Sequence, residues 1–130
     1  MVTARTGTLV PPGAGASIEL GLGRPTIKVG PSLNAQIGLV ESELPPGGGF
    51  SIPHWHEDLY EVFYVLEGEI EFLLADGPVL AGPGTFVAAP PGAVHGFRTS
   101  GPGRARMLNV HGPDGGFVEM VRRTTRRLER

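Results

Sequence analysis

Glycine and proline recur along the whole chain and divide it into short segments. Together they account for 34 of the 130 residues. Clusters such as PPGAG, PPGGG, AGPG and HGPDGG stand between apolar runs of strand length. Short apolar runs bounded by turn residues at close intervals are typical of antiparallel sheets. The spacing therefore predicts an all-β protein built as a sandwich or a barrel.

The segments between the turns give nine predicted strands. They are Ser17 to Leu20, Thr26 to Val29, Ala35 to Glu43, Phe50 to His56, Tyr60 to Leu66, Glu69 to Leu74, Thr85 to Ala88, Ala93 to Arg98 and Ala105 to Val110. Glu67 and Gly68 are expected to form a hairpin turn between two of them. Only Val118 to Leu128 has a spacing compatible with a short helix. We expect one barrel domain over residues 16–130, preceded by a flexible or dimer-contacting arm over residues 1–15.

Composition excludes several kinds of site. The chain has no cysteine, so it forms no disulfide, and a metal site must use His, carboxylate, amide or carbonyl ligands. No apolar run approaches the roughly 20 residues that a membrane-spanning helix needs. The first residues lack the apolar core of a signal peptide. We therefore expect a cytoplasmic protein that does not bind membranes.

Charge is unevenly distributed along the chain. The net charge is −2, but residues 104–130 contain seven arginines against Asp114, Glu119 and Glu129. The run RRTTRR has no interleaved aromatic residues and matches no nucleic-acid-binding motif, and such a run more often forms a solvated face. We therefore expect no nucleic-acid partner.

Two histidines and a glutamate stand close together in the stretch HWHEDLYE. Side chains at i and i+2 of a strand point to the same face, so His54 and His56 would present both imidazoles to one side of a sheet. If residues 57–60 form a turn, the Glu61 carboxylate returns to the space between the two rings. His95 follows the turn sequence PPGAV and is a fourth candidate. The alternative is a pair of exposed histidines that bind nothing, and HWH alone does not decide between the two.

The wider pattern is more specific. From Gly48 to Gly68 the sequence reads G-x5-H-x-H-x4-E-x6-G, and from Gly84 to His95 it reads G-x5-P-x-G-x2-H. In order and spacing these two stretches resemble the two motifs of the cupin superfamily. Gly68 and Gly92 fall where turns need unusual backbone angles, and Pro90 stiffens the approach to the last histidine.

The resemblance implies a cupin jelly-roll β-barrel, or double-stranded β-helix, that holds one divalent metal ion on His54, His56, Glu61 and His95. This ligand set suits Fe, Mn, Ni, Cu, Co or Zn. Glu61 has a second expected role, because in some metal cupins the glutamate acts as a general base. The sequence departs from the family at Thr99, where an asparagine is common. The resemblance also implies a homodimer.

Three functions are compatible with such a site. The first is a dioxygenase acting on a phenolic or enolic small molecule, like the quercetin dioxygenase-type cupins. The second is a non-redox isomerase or a polyketide aromatase/cyclase, and the third is a barrel that binds a small ligand without catalysis. Strand parity suggests a pocket lined by Phe63, Val65, Phe97 and Met107, although core packing is the simpler reading of each. Six polar residues are candidates for orienting a substrate, namely Gln36, Tyr60, Tyr64, Arg98, Asn109 and His111. Of these, His111 is expected to be a loop or strand-end histidine rather than a fifth metal ligand.

Overall fold

The computed structural model describes residues 9–17, 24–29, 36–47, 50–114, 116, 119 and 123. Its strands are β1 (Ala16–Ser17), β2 (Arg24–Val29), β3 (Gly38–Leu44), β4 (Phe50–His54), β5 (Tyr60–Glu67), β6 (Ile70–Leu74), β7 (Gly77–Ala81), β8 (Phe86–Ala89), β9 (His95–Thr99) and β10 (Ala105–Gly112). Each of the nine predicted segments overlaps one of them, although residues 18–20 of the first lie outside the described residues. The prediction of an all-β chain is confirmed.

The strands form two antiparallel sheets that pack face to face. The first has the order β1-β2-β3-β10-β5-β8, and the second has the order β4-β9-β6-β7. Chain neighbours often lie in different sheets, as β3 and β4 do, and this is the double-stranded β-helix that the resemblance implies. The fold prediction is therefore confirmed.

The predicted hairpin at Glu67 and Gly68 is wrong. β5 pairs with β10 and β8 in the first sheet, whereas β6 pairs with β9 and β7 in the second. Val65 and Ile70 on either side of the turn are both fully buried, because the chain passes from one inner face to the other. Gly68 has a φ of 77° at this corner, and a side chain there would meet the backbone of Arg104 and Ala105.

Strand β7 was not predicted from the sequence. Gly77 and Pro78 open this strand, and both residues are usual signals for a turn. However, β7 is the last strand of its sheet, and an edge strand tolerates proline because one row of its backbone groups is not needed for pairing. The two residues between Leu74 and Gly77, which are register partners, make the tight connection to β6.

The hydrophobic core fills the space between the sheets. Along β10 every second residue is buried, from Ala105 to His111, which is the alternation expected of a strand with one face on the core. Phe63 from the first sheet and Phe72 from the second meet with ring centroids 5.2 Å apart. The buried cluster consists of Leu44, Phe63, Val65, Ile70, Phe72, Ala81, Ala105 and Met107.

The two ends of the chain are described only in part. Residues 1–8 of the expected arm lie outside the described residues. In the remaining part of the arm, the carbonyls of Pro11 and Ala14 accept hydrogen bonds from Lys28 of β2. Of the helix expected over 118–128, only Glu119 and Arg123 are described, with an ion-pair distance of 3.6 Å. Both expectations stay predictions. Within the described ranges, no helix has the length and apolar character needed to cross a membrane.

Candidate metal centre

One end of the sandwich brings histidines from the second sheet together. His54 is the last residue of β4 and His95 is the first residue of β9, and the two are cross-strand partners. Partners in an antiparallel pair share a face, and these two rings have centroids 4.5 Å apart. The turn before His95 is anchored to the other motif, because Gly92 donates its backbone N–H to the carbonyl of His56 at 2.7 Å. Gly92 has a φ of 84°, as predicted for a turn glycine.

The first sheet supplies the carboxylate. Glu61 lies near the start of β5 with its side chain directed between the sheets, where it is 4% exposed. His56 lies in the connection between β4 and β5, which turns over residues 57 and 58 and returns the chain to the first sheet. The turn inferred from the sequence for residues 57–60 therefore does bring Glu61 back towards the two histidines.

The four predicted ligands form one cluster. His54, His56, Glu61 and His95 each offer a ligand atom, and these atoms lie within 4.8 Å of one another. Glu61 and His95 are buried, whereas His54 lies on the solvent side. The cluster suits a single metal ion, because three imidazoles and one carboxylate are the donor set of borderline divalent ions. That the four residues bind such an ion stays a prediction.

Backbone carbonyls orient two of the imidazoles. Nδ1 of His54 lies 2.7 Å from the carbonyl of Ile52, and Nδ1 of His95 lies 2.9 Å from the carbonyl of Ala93. A carbonyl only accepts, so each Nδ1 is the donor, and Nε2 of each ring is left as the nitrogen that can bind a cation. A neutral ring held in this way has the lone pair on Nε2, which is the state that a metal-binding histidine requires.

The Glu61 carboxylate lies among these nitrogens. Its Oε2 is 2.5 Å from Nε2 of His95 and 3.0 Å from Nε2 of His56. With its proton on Nδ1, neutral His95 would place a lone pair against a buried carboxylate, which is unfavourable unless a cation lies between them. A proton or a metal ion can supply that positive charge. The donor arrangement therefore fits a bound cation.

The pKa values of the cluster residues reflect these close contacts. Burial raises the pKa of Glu61, but its interactions with His111 and His95 outweigh burial and hold the pKa well below its usual range. Burial lowers the pKa of His95, yet the Glu61 carboxylate and the Ala93 carbonyl raise it above the usual value overall. Burial lowers the pKa of His56, and Glu61 only partly opposes this. The glutamate is thus a carboxylate at neutral pH, ready to bind a cation.

A fourth histidine reaches the same carboxylate. His111 on β10 is the register partner of Glu61 on β5, and its Nε2 lies 3.0 Å from Oε1 of that residue. His111 is 4% exposed. From the sequence, only a strand-end histidine was expected here, because no motif position includes His111. Its even spacing from Met107 and Asn109 was the available signal, since these residues share the inward face.

The predicted pocket residues lie deeper than the histidines. Phe63 is nearest, with its ring centroid 6.0 Å from that of His95. Val65 and Met107 are fully buried in the core cluster, and Phe97 is partly buried against it. Their packing role is therefore evident, and a pocket role stays a prediction. Of the polar candidates, Asn109 and His111 are buried, and the exposed ones are Gln36, Tyr60, Tyr64 and Arg98.

Comparison with known sequences gives one family match. The family described as the cupin domain matches residues 40–111, which include all four histidines and Glu61. No curated protein sequence matches the chain significantly.

Solved structures with the same fold include several enzymes. The polyketide cyclase RemF from Streptomyces resistomycificus is 28% identical, with a TM-score of 0.69 over 82% of this chain and 80% of that one. KdgF from Halomonas sp. is 20% identical, with a TM-score of 0.72 over 83% and 94%. A predicted oxalate decarboxylase from Thermotoga maritima is 18% identical, with a TM-score of 0.74 over 82% and 99%. The last two support the fold alone.

Proposed function

The chain belongs to the cupin superfamily, and on that premise we propose that it is a metal-dependent enzyme acting on a small phenolic or enolic molecule. One divalent transition metal ion would be held by His54, His56, Glu61 and His95. The observation that carries the proposal is the buried Glu61 carboxylate, which faces Nε2 of both His56 and His95. A cation at this point would compensate the buried negative charge and use the lone pairs that the backbone carbonyls direct inward.

The position of the site favours a small substrate that enters from the end of the sandwich. His54 lies on the solvent side, while Phe63 and the core behind it close the inner side. When bound, an ion of this class supplies Lewis acidity and, if octahedral, two positions beyond its four protein ligands. Those positions suit two oxygens of one substrate, or one substrate oxygen together with water or O2.

Glu61 is better suited to hold a metal ion than to take a proton. A general base works best when its pKa lies near the working pH. The pKa of Glu61 instead lies well below its usual range, because the interactions with His111 and His95 outweigh burial. We therefore assign Glu61 the role of ligand, and the role of base is its second candidate role.

A non-redox reaction is the version that the comparisons favour. RemF is a polyketide cyclase and resembles this chain in sequence as well as in fold, at 28% identity over most of both chains. A cyclase or isomerase needs a polarised carbonyl or enol oxygen, for which a non-redox ion such as Zn is sufficient. We therefore propose a polyketide-type cyclisation or an isomerisation as the first candidate reaction.

A dioxygenase is the second candidate. The same four ligands and two open positions would accept a phenolate oxygen and O2 if the ion were Fe, Mn, Ni or Cu. This reading depends on the resemblance to the quercetin dioxygenase-type cupins in the sequence motifs. A small-ligand-binding protein without catalysis would have the same site and no turnover.

Metal analysis and oxygen dependence separate these candidates. Protein purified without added metal is analysed for bound ions, then loaded separately with Fe, Mn, Ni, Cu, Co and Zn. Turnover of catechols, flavonols and linear poly-β-ketones is followed with and without oxygen. Product formation under anaerobic conditions supports the cyclase or isomerase, and oxygen uptake supports the dioxygenase. If none of the six ions binds to the wild-type protein, the proposed metal site is wrong.

A further inference from the structure

The two oxygens of the Glu61 carboxylate have different neighbours. Oε2 lies on the side of the predicted metal ligands, 3.0 Å from Nε2 of His56 and 2.5 Å from Nε2 of His95. Oε1 lies 3.0 Å from Nε2 of His111, whose ring centroid is 5.4 Å from that of His56. A carboxylate with one oxygen held by a separate group is restricted in rotation, so the remaining oxygen keeps a fixed direction.

The fold determines the contact between Glu61 and His111. The two residues are Cα partners on β5 and β10, and both side chains lie on the inner face of the first sheet. Directly opposite residues of an antiparallel pair have Cβ atoms about 5 Å apart. Each side chain is only 5% exposed, so water competes little for either group. The register would therefore keep His111 beside the carboxylate whether or not an ion is present.

We propose that His111 is a positioning residue, which holds Oε1 of Glu61 through the close contact of its Nε2 and leaves Oε2 to bind the metal ion. This inference depends on the proposed metal site and adds the residue that orients its carboxylate ligand. His111 itself lies outside the four-residue cluster whose ligand atoms come within 4.8 Å of one another. Glu61 would then bind the ion through one oxygen, with two open positions preserved for the substrate.

Three variants test the role of His111 in metal binding. H111A removes the imidazole that contacts Oε1, and loss of a group that orients a metal ligand typically weakens metal affinity about 10- to 100-fold. H111Q retains an N–H donor on a side chain of similar reach, so we expect affinity within a few-fold of wild type. N109A is the matched control, because Asn109 is the next inward residue of β10 and is paired with Phe63 rather than Glu61.

Affinities are measured by competition with a chromophoric chelator, using Co²⁺ as the probe ion. The visible spectrum of bound Co²⁺ reports its coordination, and we expect it to change in H111A and to be restored in H111Q. Wild-type affinity in H111A would overturn the proposal. Equal weakening in H111A and H111Q, with one nitrogen fewer on bound Cu²⁺ by electron paramagnetic resonance, would also overturn it and make His111 a ligand.

A measurement on metal-free protein separates this inference from the proposed function. The midpoint of thermal unfolding is determined in EDTA for wild type, H111A, E61A and the double variant. If His111 holds Glu61, H111A lowers the midpoint more in the wild-type background than in the E61A background. Additive effects would overturn the contact. Failure of every ion to bind the wild-type protein would instead refute the proposed function. The comparison of the four unfolding midpoints would still test the contact between His111 and Glu61.

Discussion

His54 and His95 are cross-strand partners that end β4 and begin β9, and their ring centroids lie 4.5 Å apart. Although they are neighbours, their surroundings differ. His54 is exposed, whereas His95 is 1% exposed and in contact with Glu61. The same substitution at the two positions should therefore have the same effect on metal binding and different effects on stability.

Substitution of His54 should remove the metal and leave the fold intact. H54A deletes one predicted ligand at an exposed position, where a substitution usually changes the free energy of unfolding by no more than about 0.5 kcal/mol. We expect bound metal to be lost while the circular dichroism spectrum and the unfolding midpoint of the metal-free protein stay close to wild type. Trp55→Ala is the matched control, because Trp55 is adjacent, 53% exposed and outside the ligand cluster. Stoichiometric metal in H54A would show that the site is wrongly assigned.

Substitution of His95 should affect both metal binding and stability. H95A removes a buried partner of the Glu61 carboxylate, and loss of one member of a buried charged pair typically costs about 3 to 5 kcal/mol. We expect loss of metal together with a clear decrease in the free energy of unfolding, measured by urea denaturation in EDTA. In the double variant H95A/E61Q the buried charge is also removed, so part of the stability should return. No recovery would mean that the Glu61 charge does not cause the loss.

The sequence predicted local features of the site better than the pairing of strands. The motif spacing identified His54, His56, Glu61 and His95 as a set, because strand alternation and turn residues are local properties. It did not identify His111 as a neighbour of Glu61, because that contact depends on the register between β10 and β5, which are far apart in the chain. Register is determined by the whole sheet and cannot be read from one segment.

The two errors in the strand prediction have the same origin. The turn at Gly68 was predicted correctly as a turn, but whether it joins paired strands or opposite sheets depends on packing between Val65 and Ile70. The strand from Gly77 to Ala81 was missed because Pro78 is acceptable only at an edge. An edge position is a property of the assembled sheet. The sequence therefore predicted the fold class, but it did not predict which strands belong to which sheet.

The homodimer stays a prediction, and the outer face of the first sheet is a candidate surface for it. Tyr64 and Phe86 are register partners on β5 and β8 and are 41% and 61% exposed. F86D places a charge on this face and should shift the wild-type dimer towards monomer in sedimentation velocity. Phe50→Asp is the matched control, because Phe50 is 57% exposed on β4 of the other sheet. A monomeric wild type would contradict the dimer, and dissociation by F50D alone would place the interface on the other sheet.

Metal affinity should fall as the pH decreases, because an imidazole must lose its Nε2 proton before it binds the ion. Burial lowers the pKa of His95, but Glu61 and the Ala93 carbonyl raise it overall. Protons therefore begin to compete at this residue above pH 6.5, the usual histidine value. Glu61 does not add to this competition near neutral pH, because its pKa lies well below the usual range. Below the pKa of His95, each decrease of one pH unit should weaken metal affinity about tenfold for each proton that the ion displaces.

Competition titrations at several pH values between 8 and about 5.5 test this prediction, and E61Q is the informative control. Without the Glu61 charge, the pKa of His95 is no longer raised by its neighbour, so the fall in affinity should begin at a lower pH than in wild type. E61Q is expected to bind metal more weakly at every pH, because a ligand is lost. The quantity to compare between the two proteins is therefore the pH at which metal affinity begins to fall. The same bend in both proteins would show that Glu61 does not control the protonation of His95.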